Sequence, residues 1–365
     1  MIEGIRIINK DVLTGLLELE DASVQTCVTS PPYWALRDYG TGTWIGGDED
    51  CSHARDTKRS EHTKTGHRNN PIVADAIYKT VCKKCGAKRK DLQLGLEETP
   101  DEYISQMVVV FREVRRVLKD DGTLWLNMGD TYCGTGHKGN SKDPKHPNGR
   151  NAQSYALNSK IGGLKSKDMV GIPWLLAFSL RADGWYLRQD IIWHKPNCMP
   201  EPVKDRCTSS HEYIFLLSKK NIYYFDHEAM KEPAVYAGNK RGDRADSRRG
   251  TTMKSINTNT GKYRNKRSVW NINTQAYPDT HFAVFPPELP RLCILAGSKE
   301  GDTVLDPFWG TGTTGMVARE HGRKAIGIEL NNEYVEMSKE RFRQQHLNFG
   351  GNNEQEDQVV QDSNA

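Results

Sequence analysis

Short apolar runs recur along this chain at residues 5–8, 24–28, 123–128, 185–193, 212–217, 302–306 and 324–329, most of them bounded by Gly, Asp or Pro. Runs of that length between turn signals read as strands buried in a sheet. Between them, residues 11–19, 100–119, 172–181, 288–297, 314–321 and 332–345 carry apolar positions at helical spacing. The clearest helix start is Thr99-Pro100-Asp101-Glu102, with Thr99 as cap and proline at the first position; Tyr103, Met107, Val110, Phe111, Val114 and Leu118 follow as one stripe. Strands alternating with helices predict an α/β fold, a doubly wound, mostly parallel sheet with helices on both faces. Four segments break the rhythm. Residues 41–90 and 133–166 are polar, residues 231–267 are polar and basic, and residues 346–365 are rich in Asn, Gln, Glu and Asp. The second and fourth read as a mobile surface loop and a disordered tail.

Composition refines this picture only in places. Hydrophobic residues make up 36% of the 365, which fits an ordinary core carrying polar inserts. A net charge of +4 is small, so local basic runs matter more than the total. No stretch of 18 apolar residues and no N-terminal apolar core of a leader is present, so neither a membrane span nor secretion is expected, and the location expected is the cytoplasm. Eight cysteines in that setting point to thiols or metal ligands, not to a disulfide framework.

Two stretches carry chemistry. The strand at 24–28 runs into Thr29-Ser30-Pro31-Pro32-Tyr33-Trp34. Two prolines hold this loop extended and leave carbonyls open to donors, beside a serine hydroxyl and two aromatic faces. Acceptors next to an aromatic plate suit the gripping of a planar group with an NH2. Far downstream, Asp306 ends a strand and leads into Phe308-Trp309-Gly310-Thr311-Gly312-Thr313, a helix follows, and a second strand ends in Glu329. That is a βαβ unit with its ligand site at the strand ends; its glycines admit a ligand close to the backbone, and Glu329 is placed to accept from ribose hydroxyls. Dinucleotide binding is a competing reading of this unit taken alone.

Taken together, the two stretches resemble the β group of S-adenosylmethionine-dependent DNA amino-methyltransferases, in which a [DNS]-P-P-[YF] loop precedes an F-x-G-x-G loop; the likeness extends over most of the chain apart from the inserts and tail. The resemblance implies a Rossmann-like methyltransferase fold, S-adenosylmethionine as cofactor and double-stranded DNA as partner, no membrane association, and a homodimer as an option. It assigns Ser30, Pro31, Pro32 and Tyr33 to catalysis. Asp306, Phe308, Gly310, Gly312, Thr313 and Glu329 would hold the cofactor, with His281, Phe282 and Ala283 in a segment similar to the family's tenth motif. Trp34, with His194 and Lys195 of a segment similar to the eighth motif, would border the target base, His194 more as a structural histidine than as a general base. Residues 1–40 and 91–230 would then form the catalytic half and 268–345 the cofactor half. Serine as the first letter of the tetrapeptide leans to cytosine N4, with adenine N6 the alternative. A protein glutamine methyltransferase is more remote, since that family begins the loop with Asn and places the cofactor motif first.

Two inserts add expectations of their own. Cys82-Lys83-Lys84-Cys85-Gly86, paired with Cys51-Ser52-His53, has the ligand chemistry of a structural zinc site, with His62 and His67 as rival ligands and a loop of unliganded cysteines as the alternative. Residues 231–267 hold eleven Lys or Arg against three acids, at the place where β-group enzymes carry target recognition. Such side chains would neutralise phosphates and could read bases, although a solvated basic loop has the same composition.

Overall fold

The computed structural model describes residues 3–35, 39, 41–51, 81–82, 84–133, 163–234, 262–275 and 285–350. The N-terminal half supplies β1 (Ile5–Ile8), α1 (Val12–Leu17), β2 (Val24–Thr29), β3 (Thr43–Ile45), β4 (Lys88–Lys90), α2 (Pro100–Val117) and β5 (Leu118–Met128). After these come α3 (Ile172–Ala182), β6 (Tyr186–His194), β7 (His211–Ser218), β8 (Lys231–Pro233), β9 (Tyr263–Asn265) and β10 (Val269–Asn271). The C-terminal part adds α4 (Glu288–Gly297), β11 (Thr303–Asp306), α5 (Thr313–Glu320), β12 (Lys324–Ile328) and α6 (Asn332–Gly350).

Eight of these strands form one sheet in the order β1-β12-β11-β2-β5-β7-β6-β10. The run from β1 to β5 is parallel throughout, and β7 joins both β5 and β6 antiparallel. The mostly parallel, doubly wound sheet is therefore as predicted. Alternation along the strands distributes the core. Cys27, Leu124, Leu126 and Leu305 face the layer of α1, α2 and α3, whereas Val28, Trp125 and Val304 face the layer that holds α4 and α5. In α2 the stripe Tyr103, Met107, Val110, Phe111 and Val114 is fully buried, and Thr99 accepts from the Glu102 amide at 3.2 Å, a cap worth about 1 kcal/mol.

What matters for a site is where the strand order reverses. From β2 the chain proceeds to β5 on one side, while β11 and β12 lie on the other, so the carboxyl ends of β2 and β11 diverge at a crevice. The inserts depart from the sequence expectation at their edges. Residues 43–45 and 88–90 pair as β3·β4, and the two ends of the basic segment pair as β8·β9. There Arg264 and Arg267 both bond Glu232, at 2.9 and 2.8 Å, so these two cations of the basic run are engaged within the fold. Helix α6 also continues to Gly350, past the start of the segment read as a disordered tail. The expected loop within 134–162, the middle of the basic segment at 235–261 and the remaining tail at 351–365 lie outside the described residues. No helix among the described residues is long and apolar enough to cross a membrane.

Candidate active site

The carboxyl ends of β2, β11 and β12 open into a cleft of about 800 Å³ lined, among others, by Ser30, Pro31, Pro32, Tyr33, Asp306, Phe308, Gly310, Thr313 and Glu329. The two loops that the sequence separates by almost three hundred positions thus share one cavity. A direct bond ties them: Thr29 Oγ1 donates to Asp306 Oδ1 at 2.7 Å, buried, and Thr314 Oγ1 donates to Asp306 Oδ2 at 2.7 Å.

On the first side of the cleft, the loop after β2 is held from below. Tyr103 on α2 donates to the Pro32 carbonyl at 2.8 Å, and Ala35 takes a positive φ of 54° to let the chain turn away. Among the described residues none donates to the Pro31 carbonyl, which leaves it available to a ligand. Ser30 Oγ lies 3.5 Å from the Tyr33 hydroxyl, at the limit of a hydrogen bond. The Tyr33 ring is fixed more firmly. Its hydroxyl donates to Glu212 Oε2 at 2.8 Å, and a Cβ on Gly129 would come within 2.7 Å of its Cε2, so glycine there lets the ring lie against the backbone. Burial, reinforced by the Glu212 carboxylate, pushes the phenol well above the usual tyrosine range, so it stays a donor. Glu212 in turn accepts from Asn127 Nδ2 at 3.1 Å and pairs with Lys195 Nζ, which sits 4.4 Å from the centre of the Trp193 ring.

On the opposite side, Gly310 has φ +53°, and a Cβ there would meet nothing within 4 Å, so its backbone borders open cleft. Gly312 also needs its positive φ of 83°, but it packs inward, against Trp309, Phe342 and Ser338. Trp309 is 2% exposed, donates to Ser338 Oγ at 3.0 Å and underpins the turn; a Cβ on Gly315 or Gly327 would come within 2.0 Å of its ring. Arg341 holds the hydroxyls of Thr311 at 2.8 Å and Thr313 at 3.3 Å. Glu329 accepts from the amides of Gly310 and Asn331, both at 2.8 Å.

Burial raises two carboxyls here: Asp306 to about 6 and Glu329 to about 7, with bonds from the neighbouring hydroxyls and amides opposing the rise. Both values lie above those of an unfolded chain. Their stabilising contribution is therefore complete below the ordinary carboxylate range and is lost as pH rises through the folded values. The free protein should lose stability between about pH 4.5 and 7, and Glu329→Gln should flatten that slope. In denaturant melts the variant should gain on the wild type by on the order of 3 kcal/mol more at pH 8 than at pH 4.5. An equal difference at both pH values would contradict the burial of an ionisable Glu329.

Not every residue expected at the site reaches it. Trp34 is 1% exposed and donates to the Glu97 carbonyl at 2.9 Å, so it belongs to the core beneath the loop and not to a base pocket. His194 does not line the cleft. Alternation along β6 turns Trp193 and Lys195 to the cavity, and the His194 ring bonds Asn271 Oδ1 at 2.8 Å on neighbouring β10. His281, Phe282, Ala283 and His53 lie outside the described residues. Cys51, Cys82 and Cys85 do come together, away from the cleft, with their sulfurs all within 4.8 Å of one another. Sequence reasoning missed Glu212 and Asn127. Each is a polar residue beside apolar ones in a strand, a pattern that marks neither its partners nor its role.

Residues 24–340 match the profile of a family described as DNA methylase, N6_N4_Mtase. The chain is 44% identical over 337 residues to the Type II methyltransferase M.SmaI of Serratia marcescens, covering 92% of this chain and 90% of that one. It is 39% identical over 349 residues to M.Cfr9I of Citrobacter freundii, covering 95% and 90%. Among solved structures, the fold resembles that of the PvuII DNA methyltransferase (cytosine-N4-specific) with a TM-score of 0.53 at 17% identity, over 93% of this chain and 88% of that one.

Proposed function

This chain belongs to the N6/N4 family of DNA methylases and is an S-adenosylmethionine-dependent DNA methyltransferase acting on an exocyclic amine; from that premise we propose that the amine is N4 of cytosine in duplex DNA. The observation that supports the assignment of roles is the Thr29–Asp306 bond, which ties the ends of β2 and β11 so that the loops after them line one cavity. The open backbone at Gly310, the partly buried Phe308 face and the Glu329 carboxylate fit an adenosyl group with its ribose hydroxyls. When bound, S-adenosylmethionine supplies a sulfonium methyl already activated for transfer.

The chain's own residues have the remaining tasks. An exocyclic amine is a poor nucleophile because its lone pair is delocalised into the ring. Ser30 Oγ and the Pro31 carbonyl accept from the NH2 and favour a tetrahedral nitrogen whose lone pair points at the methyl. Each bond strengthens the transition state by about 1–3 kcal/mol in a dry site. Tyr33, held by Glu212 and Gly129, is the plate on which the extruded base stacks. That contact, about 1–3 kcal/mol, offsets much of the few kcal/mol spent on leaving the duplex. Lys195 and Asn127 hold the Glu212 carboxylate, so they keep Tyr33 in place. The basic segment 231–267 contacts the DNA, with Lys231, Arg264 and Arg267 contributing less than unpaired cations would because Glu228 and Glu232 already engage them.

Cytosine is favoured by Ser30 as the first residue of the tetrapeptide. The test is digestion of duplex DNA treated with the protein and trideuteromethyl-labelled S-adenosylmethionine, followed by nucleoside mass spectrometry. Labelled N4-methylcytosine is the expected product. N6-methyladenine would overturn the choice of base, and label on protein in place of DNA would overturn the reading as a whole.

A further inference from the structure

We propose that Cys51, Cys82 and Cys85 bind a structural zinc ion whose task is to brace the arm that frames the mouth of the cleft. The three thiols come from two segments more than thirty positions apart, yet all their sulfurs lie within 4.8 Å of one another, and Cys51 and Cys82 are 3.9 Å apart. Tetrahedral zinc with Zn–S bonds of about 2.3 Å requires sulfurs about 3.8 Å from each other. The backbone around them has the form of a metal knuckle. Gly86 N donates to Cys82 O at 2.8 Å, Cys82 N donates to Ala87 O at 2.8 Å, and Gly86 takes a positive φ of 76° to close the turn. A second glycine turn closes over the sulfurs from the other segment: Gly47 has φ +80°, and a Cβ there would come within 2.8 Å of Cys85 Sγ. Cys82 is 7% exposed, while Cys51 and Cys85 are half-buried beside it. Three thiolates suit zinc better than magnesium or calcium, which take oxygen ligands.

The need for a brace follows from the arm itself. Strands β3 and β4 have three residues each and present mostly exposed or half-exposed side chains, too little to hold a two-stranded ribbon in water. The segments flanking the ribbon line the cleft, through Tyr39 and Thr41 before β3 and Leu92, Gln93 and Leu94 after β4. Polar bonds cross between these segments. Thr41 Oγ1 donates to Asp91 Oδ1 at 2.9 Å and the Tyr39 amide donates to Gln93 Oε1 at 2.7 Å, while Arg89, on the same side as Asp91, steadies its carboxylate at 2.5 Å. The thiols sit at the far end of this ribbon from the cleft and do not line it, so the metal is structural and takes no part in methyl transfer.

The full-length protein, purified without chelators, should carry one zinc per chain by elemental analysis. Zinc-edge absorption should show three sulfur neighbours at about 2.3 Å. Cys82→Ser and Cys51→Ser should each lower zinc content to near zero, whereas Cys207→Ser, an exposed cysteine elsewhere, should leave it unchanged. Because a cysteine variant can fail to fold, the wild type treated with a chelator gives a second reading. Limited proteolysis should then cut within 41–51 and 84–93 at least tenfold faster while the sheet and its helices resist, and added zinc should restore protection. Absence of stoichiometric zinc, a sulfur-poor coordination sphere, or zinc retained in both variants would overturn the proposal. None of these outcomes depends on which base is methylated.

Discussion

Ser30→Ala should slow methyl transfer about 10- to 100-fold while leaving DNA affinity within about twofold of wild type. The reasoning starts from the loop. Pro31 and Pro32 hold the chain extended, Tyr103 anchors the Pro32 carbonyl, and Thr29 is bonded to Asp306, so removing one hydroxyl should not move the backbone. Among the described residues the Ser30 hydroxyl makes one hydrogen bond, a 3.5 Å one to the Tyr33 hydroxyl, which Glu212 holds more firmly in any case. In the proposed role what is lost is an acceptor for the amine, whose bond tightens as the nitrogen becomes tetrahedral, so the loss should fall on the rate and not on binding. Single-turnover transfer of a tritiated methyl group, measured beside equilibrium binding of the same duplex, separates the two. A large loss of DNA affinity with an unchanged rate in the bound complex would contradict this role.

Gly310→Val should abolish cofactor binding, by more than about 100-fold in affinity, with only a modest loss of fold stability. A branched residue at φ +53° pays left-handed backbone strain of about 1–2 kcal/mol. The larger effect is spatial. Among the described residues no atom beyond its chain neighbours lies within 4 Å of a Cβ at this position, so the branch would project into the cleft beside Glu329. Gly310→Ala should lie between the two. Calorimetric titration with S-adenosylmethionine checks the series, and unaltered affinity in the valine variant would refute the placement of the cofactor against this backbone.

Much of this was readable from the chain because burial on both faces of a sheet leaves short, mostly apolar runs bounded by turn residues. Residues 24–28 and 302–306 announced neighbouring strands, and the Pro-Pro and Gly-x-Gly turns after them announced the mouths of loops. Which side of a loop a residue faces was harder to read. Trp34 follows Tyr33 directly, yet the chain turns at Ala35 and sends the indole into the core, so adjacency in sequence did not carry adjacency in the site. At β6 the alternation rule would have separated His194 from Lys195 had the strand's register been known. Glu212 was illegible for a different reason. Its value lies in meeting Tyr33, Asn127 and Lys195, three residues brought to it by β2, β5 and β6, and no local pattern records such a meeting. The short pairs β3·β4 and β8·β9 escaped because their composition is polar and their pairing is between distant segments.

The central claim is that one cavity presents a methyl donor to an amine held by Ser30 and the Pro31 carbonyl. A crystal structure of the protein with S-adenosylmethionine tests it most directly. The account predicts ribose hydroxyls on Glu329 and the sulfonium methyl directed at the space beside Ser30 Oγ and Pro31 O, with room for a nitrogen at about 3–3.5 Å from the methyl carbon. A methyl group directed away from that loop, or a cofactor bound elsewhere on the molecule, would contradict it.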